Sequence, residues 1–167
     1  MKKLFFFLSI VIFLSACSHN SDFHPRKVNY DRDVCAQCLM GIADQPYAVQ
    51  AINSSGQVLW FDDIGCLVNY TKTPNWKKFI SNRPYKIWVG NSNGASGDKW
   101  LELQKAYFTY GKHTPMGYGY SAVKTPSDSS FTFIQVEKRI IEGKTMREEF
   151  LKKNHMMGKG VKHNKQH

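Results

Sequence analysis

Short apolar runs and turn residues alternate in the first half of the folded part of the chain. Residues 47–52 and 57–61 are β-rich runs that flank the turn sequence Asn-Ser-Ser-Gly at 53–56, which predicts a β-hairpin. Within residues 64–80 apolar positions recur at helical spacing in two pieces. Asp62 and Asp63 are expected to cap the first piece, and the second begins at a proline. Residues 85–89 are again β-rich. The order predicted here is strand, strand, helix, strand.

The second half shows a similar order of elements without repeating the sequence. Residues 101–110 contain two strand-like runs, residues 111–119 form a long glycine-rich turn, and residues 120–123 are predicted to pair back. A serine and an aspartate open a predicted helix over residues 127–141, and residues 144–150 form a short further element. Two such halves predict an α+β fold.

The longest apolar run lies at the N-terminus and indicates export. Residues 4–14 follow two lysines and are shorter than the roughly 20 residues that a membrane-spanning helix needs. The run closes with Leu-Ser-Ala-Cys, so we predict a lipoprotein signal in which Cys17 is acylated and becomes the first mature residue. The alternative is an ordinary signal peptide with a chance cysteine. We expect the protein on the periplasmic side of a bacterial membrane, held to the lipid bilayer through Cys17.

Changes in composition divide the chain into four predicted segments. Its 167 residues suit one folded domain after the leader is removed. The predicted segments are a signal peptide at 1–16, a polar spacer at 17–32, a domain at 33–150 and a basic, disordered tail containing His and Met at 151–167.

The net charge of +10 raises the question of a nucleic-acid partner. Five lysines and no acidic residue lie between positions 152 and 167, so the tail holds much of the excess. An exported protein rarely meets nucleic acid, and we therefore predict no such partner. A solvated tail explains the charge, with attraction to anionic lipid headgroups as the alternative.

The cysteines supply the first candidate chemistry. If Cys17 is acylated, three thiols remain, and an odd number outside the cytoplasm predicts at least one free thiol. Cys35 and Cys38 form a Cys-x-x-Cys motif, which is typical of thiol–disulfide exchange when a helix follows it. The Gly, Asp and Pro residues within 41–46 predict no such helix, which weakens the redox interpretation.

Two metals are compatible with these residues. Zinc normally takes four Cys or His ligands, and Cys66 with His113 would have to complete the set, although their spacing does not demand it. Cys66 itself lies on the apolar face of a predicted helix and is expected to be a buried small hydrophobic residue. Cu(I) prefers the polarizable sulfur of thiolates and thioethers.

The sulfur residues favour Cu(I). Cys38 and Met40 are two positions apart, so an extended segment places both side chains on one face. Met116 lies in a Pro/Gly-rich turn, where a core methionine is unusual, and His113 is close to it in sequence. Cys35 adds a further ligand or forms a disulfide with Cys38 that blocks binding. The predicted metal-binding residues are Cys38, Met40, Met116, Cys35 and His113.

The chain resembles the NosL family of copper-binding lipoproteins, which is associated with nitrous-oxide reductase assembly. The shared features are the lipobox ending at Cys17, Cys38-Leu-Met-Gly-Ile with Asp44, Phe61-Asp-Asp-Ile-Gly-Cys, and Thr114-Pro-Met-Gly-Tyr-Gly. The resemblance covers about residues 33–123. It implies two ββαβ-like units, an architecture shared with organomercurial lyases, and it implies that Cys38, Met40 and Met116 bind copper.

The residues and the resemblance together predict a binding protein and not an enzyme. It would be a membrane-anchored periplasmic Cu(I)-binding protein that delivers copper for nitrous-oxide reductase maturation or to another periplasmic cuproenzyme, and a membrane copper transporter is a further expected partner. The alternative is a thiol–disulfide oxidoreductase that uses Cys35 and Cys38. The tail carries further candidate copper donors, or incidental residues, at His155, Met156, Met157, His163 and His167.

Overall fold

A computed structural model describes residues 22–81, 83–94 and 98–154. Its first half contains a hairpin, two short helices and two more strands. Their bounds are β1 Val49–Asn53, β2 Val58–Phe61, α1 Ile64–Tyr70, α2 Pro74–Ile80, β3 Tyr85–Gly90 and β4 Trp100–Glu102. A 3-10 turn over Leu103–Lys105 leads out of β4 into the second half.

The second half contains three strands followed by two helices. Their bounds are β5 Tyr107–Tyr110, β6 Tyr120–Val123, β7 Phe131–Thr132, α3 Phe133–Ile141 and α4 Met146–Lys153. Two antiparallel sheets result, one with the order β2-β1-β3-β4 and one with the order β6-β5-β7. The predicted α+β class is confirmed.

The hairpin follows from its turn chemistry. Val49 pairs with Phe61 and Ile52 with Val58, so the Asn-Ser-Ser-Gly sequence closes the loop as predicted. Asn53 is fully buried, and its side chain accepts from the backbone N–H groups of Ser55 and Gln57. Gly56 has φ +78°, a conformation that most other residues disfavour.

The first sheet has two distinct faces. Val49 and Ala51 of β1 share one face with Ile87 of β3, and this face packs into the buried core. The alternating positions, which include Gln50 and Trp88, point to the opposite face.

Part of the predicted polar spacer lies on that opposite face. The Trp88 indole donates to the carbonyl of Phe23 at 2.7 Å, and Val28 is buried with 5% exposure. Helix α4 also continues to Lys153, beyond the predicted domain end at 150. The exact segment boundaries stay predictions, and Cys17 and the tail residues 155–167 lie outside the described residues.

One core joins the two halves of the molecule. Buried residues of α1 and both sheets belong to a single apolar cluster, which also includes Val136 and Ile140 of α3. Helix α1 packs against α3, so the first half and the second half meet at α1. This helix carries Cys66.

The second half departs from the predicted order. The helix expected over residues 127–141 begins at Phe133, because Phe131–Thr132 pairs with β5 as a third strand. Ser127 and Ser130 bond to each other in a turn and cap no helix, while Thr132 and Gln135 form a capping box. The first half thus follows the expected ββαβ order, whereas in the second half the third strand precedes the helices.

Within the described ranges, every helix is too short or too polar to cross a bilayer.

Candidate metal centre

Three thiols converge at the edge of the first sheet. The sulfur atoms of Cys35, Cys38 and Cys66 lie within 4.8 Å of one another, and all three cysteines are free. Cys35 and Cys66 are fully buried, whereas Cys38 is partly exposed. Among the residues that the structure describes, no His, Asp or Glu side chain joins the cluster. We call these three residues the thiol cluster.

A short loop carries the two cysteines of the Cys-x-x-Cys motif. The backbone N–H of Cys35 donates to the carbonyl of Met40 at 2.8 Å, and the N–H of Leu39 donates to the carbonyl of Cys35 at 2.9 Å. Cys35 also forms a parallel bridge with Trp60 of β2. The motif therefore lies in a closed loop held on a strand edge, and no helix begins at it.

The loop places Leu39 in an unfavourable backbone conformation. Its φ is +62°, and its side chain is 77% exposed. A non-glycine residue with a left-handed backbone costs roughly 1–2 kcal/mol, and asparagine tolerates it better than leucine. We expect Leu39→Asn to increase the free energy of unfolding by about 1 kcal/mol in urea denaturation. Leu39→Ala is the control, since it shortens the side chain but keeps the strain; equal stability of the two variants would contradict this explanation.

The third thiol comes from the first turns of α1. Cys66 follows Gly65, where a Cβ atom would collide with the ring of Tyr118. This close approach packs the turn that carries Met116 against the start of the helix. A residue larger than glycine at position 65 would separate these two elements.

Asp63 ties that turn to α1. It is the N-cap residue of the helix, as predicted, and it is fully buried. One of its carboxylate oxygens accepts from the hydroxyl of Thr114 at 2.5 Å and from the backbone N–H of Met116 at 3.3 Å. Two sequence motifs that are about fifty residues apart are thereby joined through one side chain.

Asp62 serves a different purpose from the helix capping expected of it. Its carboxylate accepts from the backbone N–H of Ala43 at 2.7 Å. Ala43 follows the thiol-bearing loop, so Asp62 holds that segment beside β2. The two adjacent aspartates therefore fix the loop of Cys35 on one side and the turn of Met116 on the other.

The thiols influence one another's ionisation. A hydrogen bond from the Cys66 thiol lowers the pKa of Cys35, and the same contact raises the pKa of Cys66. Burial raises the pKa of Cys38. The cluster thus holds one readily ionised thiol beside two that keep their protons, and a thiophilic metal ion would have to displace those protons.

The other predicted metal-binding residues lie in different parts of the structure. Met40 lies beside the cluster through its backbone contact with Cys35, and its side chain is 49% exposed. Met116 is partly buried and packs on the core. His113 is exposed and lines a separate cavity of about 420 Å³ together with Met146 and Arg147. In the described part of the chain, His113 does not join the thiol cluster.

The place of Cys66 in this cluster was not predicted from the sequence. Its burial was expected, but its proximity to Cys35 and Cys38 was considered only as part of a zinc set with His113. The available signal was the odd number of thiols. Cys66 is the thiol that remains outside the Cys-x-x-Cys motif, and it lies on the helix that directly follows an acidic pair. This was the signal that Cys66 belongs with Cys35 and Cys38.

The buried carboxyl group of Asp63 predicts a pH dependence of stability. Burial raises its pKa to about 6 from an ordinary value of 3.8. The folded state therefore holds a proton that the unfolded state releases between those values. This contribution to stability is complete below about pH 4 and is lost as pH rises through about 6, with a size on the order of 2–3 kcal/mol. Urea denaturation over this range should show a component that disappears in Asp63→Asn; identical profiles would contradict the assignment.

Residues 1–18 match the prokaryotic membrane lipoprotein lipid attachment site. The chain is a lipoprotein. This confirms the predicted lipid anchoring through the segment that ends in Cys17-Ser. No curated protein matches the chain.

A solved structure resembles the fold of this lipoprotein. It is the crystal structure of the copper chaperone NosL from Shewanella denitrificans, with 16% sequence identity and a TM-score of 0.50. The match covers 68% of this chain and 87% of that chain. The expected NosL-like fold is confirmed. At this identity the similarity shows the architecture alone.

Proposed function

We propose that this lipoprotein binds Cu(I) at the thiol cluster and delivers it at the membrane surface. The observation that carries the proposal is the convergence of three free sulfur atoms within 4.8 Å in a lipid-anchored chain. The similar fold of a copper chaperone supports it. The acceptor is a periplasmic cuproenzyme, with nitrous-oxide reductase the one implied by the resemblance to NosL, and a membrane copper transporter is the proposed source.

The donor set favours Cu(I) over harder or four-coordinate ions. Thiolates suit Cu(I), and carboxylates suit hard cations. Structural zinc usually takes four Cys or His ligands, whereas the described residues offer three. In the proposed ligand set, the thiol of Cys66 replaces His113, which was predicted as a ligand from the sequence. The thioethers of Met40 and Met116 remain proposed additional donors.

Differences in exposure suggest how the ion is exchanged. Cys35 and Cys66 are buried and hold the ion from within, while Cys38 is partly exposed and Met40, on the same loop, is exposed. A partner's ligand can replace Cys38 first, and the ion then leaves the two buried sulfurs stepwise. Transfer by ligand exchange avoids release of free aqueous ion.

The redox alternative is supported less well by this geometry. Lowering the pKa of Cys35 favours a reactive thiolate. Cys35 is nevertheless fully buried, and a substrate disulfide has to reach the attacking sulfur. The exposed partner, Cys38, has a raised pKa. A dithiol oxidoreductase also has no need for Cys66 within contact range.

Competition for Cu(I) against a chromophoric chelator, under anaerobic and reducing conditions, tests the proposal. The chain from Ser18 should bind one Cu(I) ion tightly, and removal of the residues after Lys153 should leave the affinity unchanged. Met40→Leu and Met116→Leu keep the size of each side chain and remove its sulfur, so each reports its own contribution as a donor. Binding that is lost only on truncation would move the site to the tail.

A Cys66 variant separates the two functions. A Cu(I) carrier needs all three thiols of the cluster, so the loss of Cys66 should weaken its Cu(I) binding. An oxidoreductase needs Cys35 and Cys38 alone, and without metal it reduces a model disulfide or, in its disulfide form, oxidises a model dithiol. Disulfide exchange at a catalytic rate with no Cu(I) binding would favour the redox alternative.

A further inference from the structure

We propose that the face of the first sheet covered by residues 23–30 rests on the phospholipid headgroups of the membrane that holds the lipid anchor. This contact orients the whole fold at the bilayer, because the N-terminal segment that leads to the anchor is fixed to this face and is surrounded by side chains that suit a lipid interface.

The N-terminal segment is fixed to the sheet almost from its first described residue. The carbonyl of Phe23 accepts from the Trp88 indole at 2.7 Å. The side chain of Gln50 forms two hydrogen bonds with the backbone of Arg26, at 2.7 and 3.0 Å. Gln50 is fully buried, so these bonds satisfy a side chain that has no access to water. Residues 23–26 therefore behave as part of the fold.

The tether that remains is short. Six peptide units join Cys17 to Phe23, and they can span at most about 22 Å. A folded domain of this size is about 35 Å across. The anchor therefore cannot reach around the molecule, and the face that holds Phe23 stays next to the bilayer.

The side chains on this face suit a lipid interface. A cavity of about 530 Å³ opens there, and two lysines and two aromatic residues line it, namely Lys27, Lys99, Tyr30 and Trp100. Tyr30 is 56% exposed. Amphipathic aromatic rings favour the headgroup region, and lysines near the surface are attracted to lipid phosphate.

The acidic residue in the same cavity does not oppose this attraction. Asp98 forms an ion pair with Lys124 at 2.6 Å, which offsets its charge. The two lysines of the cavity therefore remain available to headgroup phosphates.

The orientation also places the thiol cluster near the membrane. Cys35 bridges to Trp60, and Trp60, Gln50 and Trp88 lie opposite one another on neighbouring strands. Three inter-strand spacings separate Cys35 from Trp88, so the two residues are about 14 Å apart. If the proposed function is right, the exchange partner presents its own site close to the bilayer.

Paramagnetic quenching of the tryptophan indole NMR signals tests the orientation. The full lipidated protein is placed in phosphatidylcholine–phosphatidylglycerol nanodiscs that contain a lipid with a nitroxide on its headgroup. Trp88 and Trp100 mark the proposed contact face. Trp76 lies on the opposite side, because it packs against Tyr85, whose position alternates with that of Trp88 along β3. We expect a larger loss of signal for Trp88 and Trp100 than for Trp76.

Charge-reversed variants identify the contact. Lys27→Glu with Lys99→Glu should reduce the loss of signal at Trp100, whereas Lys77→Glu with Lys78→Glu on α2 should leave it unchanged. An equal loss at all three tryptophans, a larger loss at Trp76, or no loss at any of them would overturn the proposal. The experiment uses metal-free protein, so its outcome is independent of copper binding.

Discussion

Cys66→Ser is expected to abolish tight Cu(I) binding while leaving the protein folded. Serine is close to cysteine in size, but its hydroxyl is a poor ligand for a soft ion. The loss of affinity should exceed the roughly 10–100-fold that follows removal of an outer-shell partner, because a direct donor is removed. Chelator competition measures the affinity, and near-ultraviolet circular dichroism reports whether the aromatic core around α1 is intact.

A matched comparison makes the Cys66 result specific. Cys66→Ala removes the sulfur without introducing a buried hydroxyl, so the two variants should lose affinity equally even if they differ in stability. Cys38→Ser should weaken binding as well, since Cys38 belongs to the same cluster. Wild-type affinity in both Cys66 variants would show that Cys66 is a packing residue and that the site lies elsewhere.

Asp63→Ala is expected to be the most destabilising single substitution near the site. The carboxylate accepts from the hydroxyl of Thr114 and from the backbone N–H groups of Met116 and Gly65. Each buried donor left without an acceptor costs about 1–3 kcal/mol. We expect the free energy of unfolding to fall by about 3–5 kcal/mol at neutral pH, a large part of the stability of a typical domain. Urea denaturation provides the measurement.

An exposed aspartate provides the control for Asp63. Asp44 lies on the surface, so Asp44→Ala should change the free energy of unfolding by no more than about 0.5 kcal/mol. Thr114→Val removes one of the three donors and should recover part of the loss when combined with Asp63→Ala. A loss below about 1 kcal/mol in Asp63→Ala would mean that water satisfies these donors and that the turn of Met116 is held by packing alone.

Local sequence patterns were sufficient to predict the elements whose turn and capping residues lie close together in sequence. The hairpin at residues 53–56 formed as predicted because its turn residues and flanking apolar runs specify it without help from the rest of the chain. The helices at Ile64 and Pro74 also begin where the acidic pair and the proline indicated. By contrast, residues 127–132 became a turn and a strand because β5 offered Phe131 a pairing partner that no local signal reveals.

The site was less predictable because it is assembled by long-range contacts. Cys35 reaches Cys66 only because its loop pairs with Trp60 at the edge of β2, immediately before α1. Asp62 and Asp63 looked like helix-capping residues, and only one of them is. The packing of the spacer on Gln50 is also a long-range contact and could not be predicted. The spacer contributes mainly backbone groups to it, and backbone hydrogen bonds leave no pattern in the amino-acid sequence.

X-ray absorption at the copper edge of the Cu(I)-loaded protein tests the central claim most directly. Binding at the thiol cluster predicts a first shell made of sulfur, close to three atoms per copper, that loses one sulfur in Cys66→Ser. A first shell dominated by nitrogen, or one that is unchanged in Cys66→Ser, would contradict the assignment of copper to Cys35, Cys38 and Cys66.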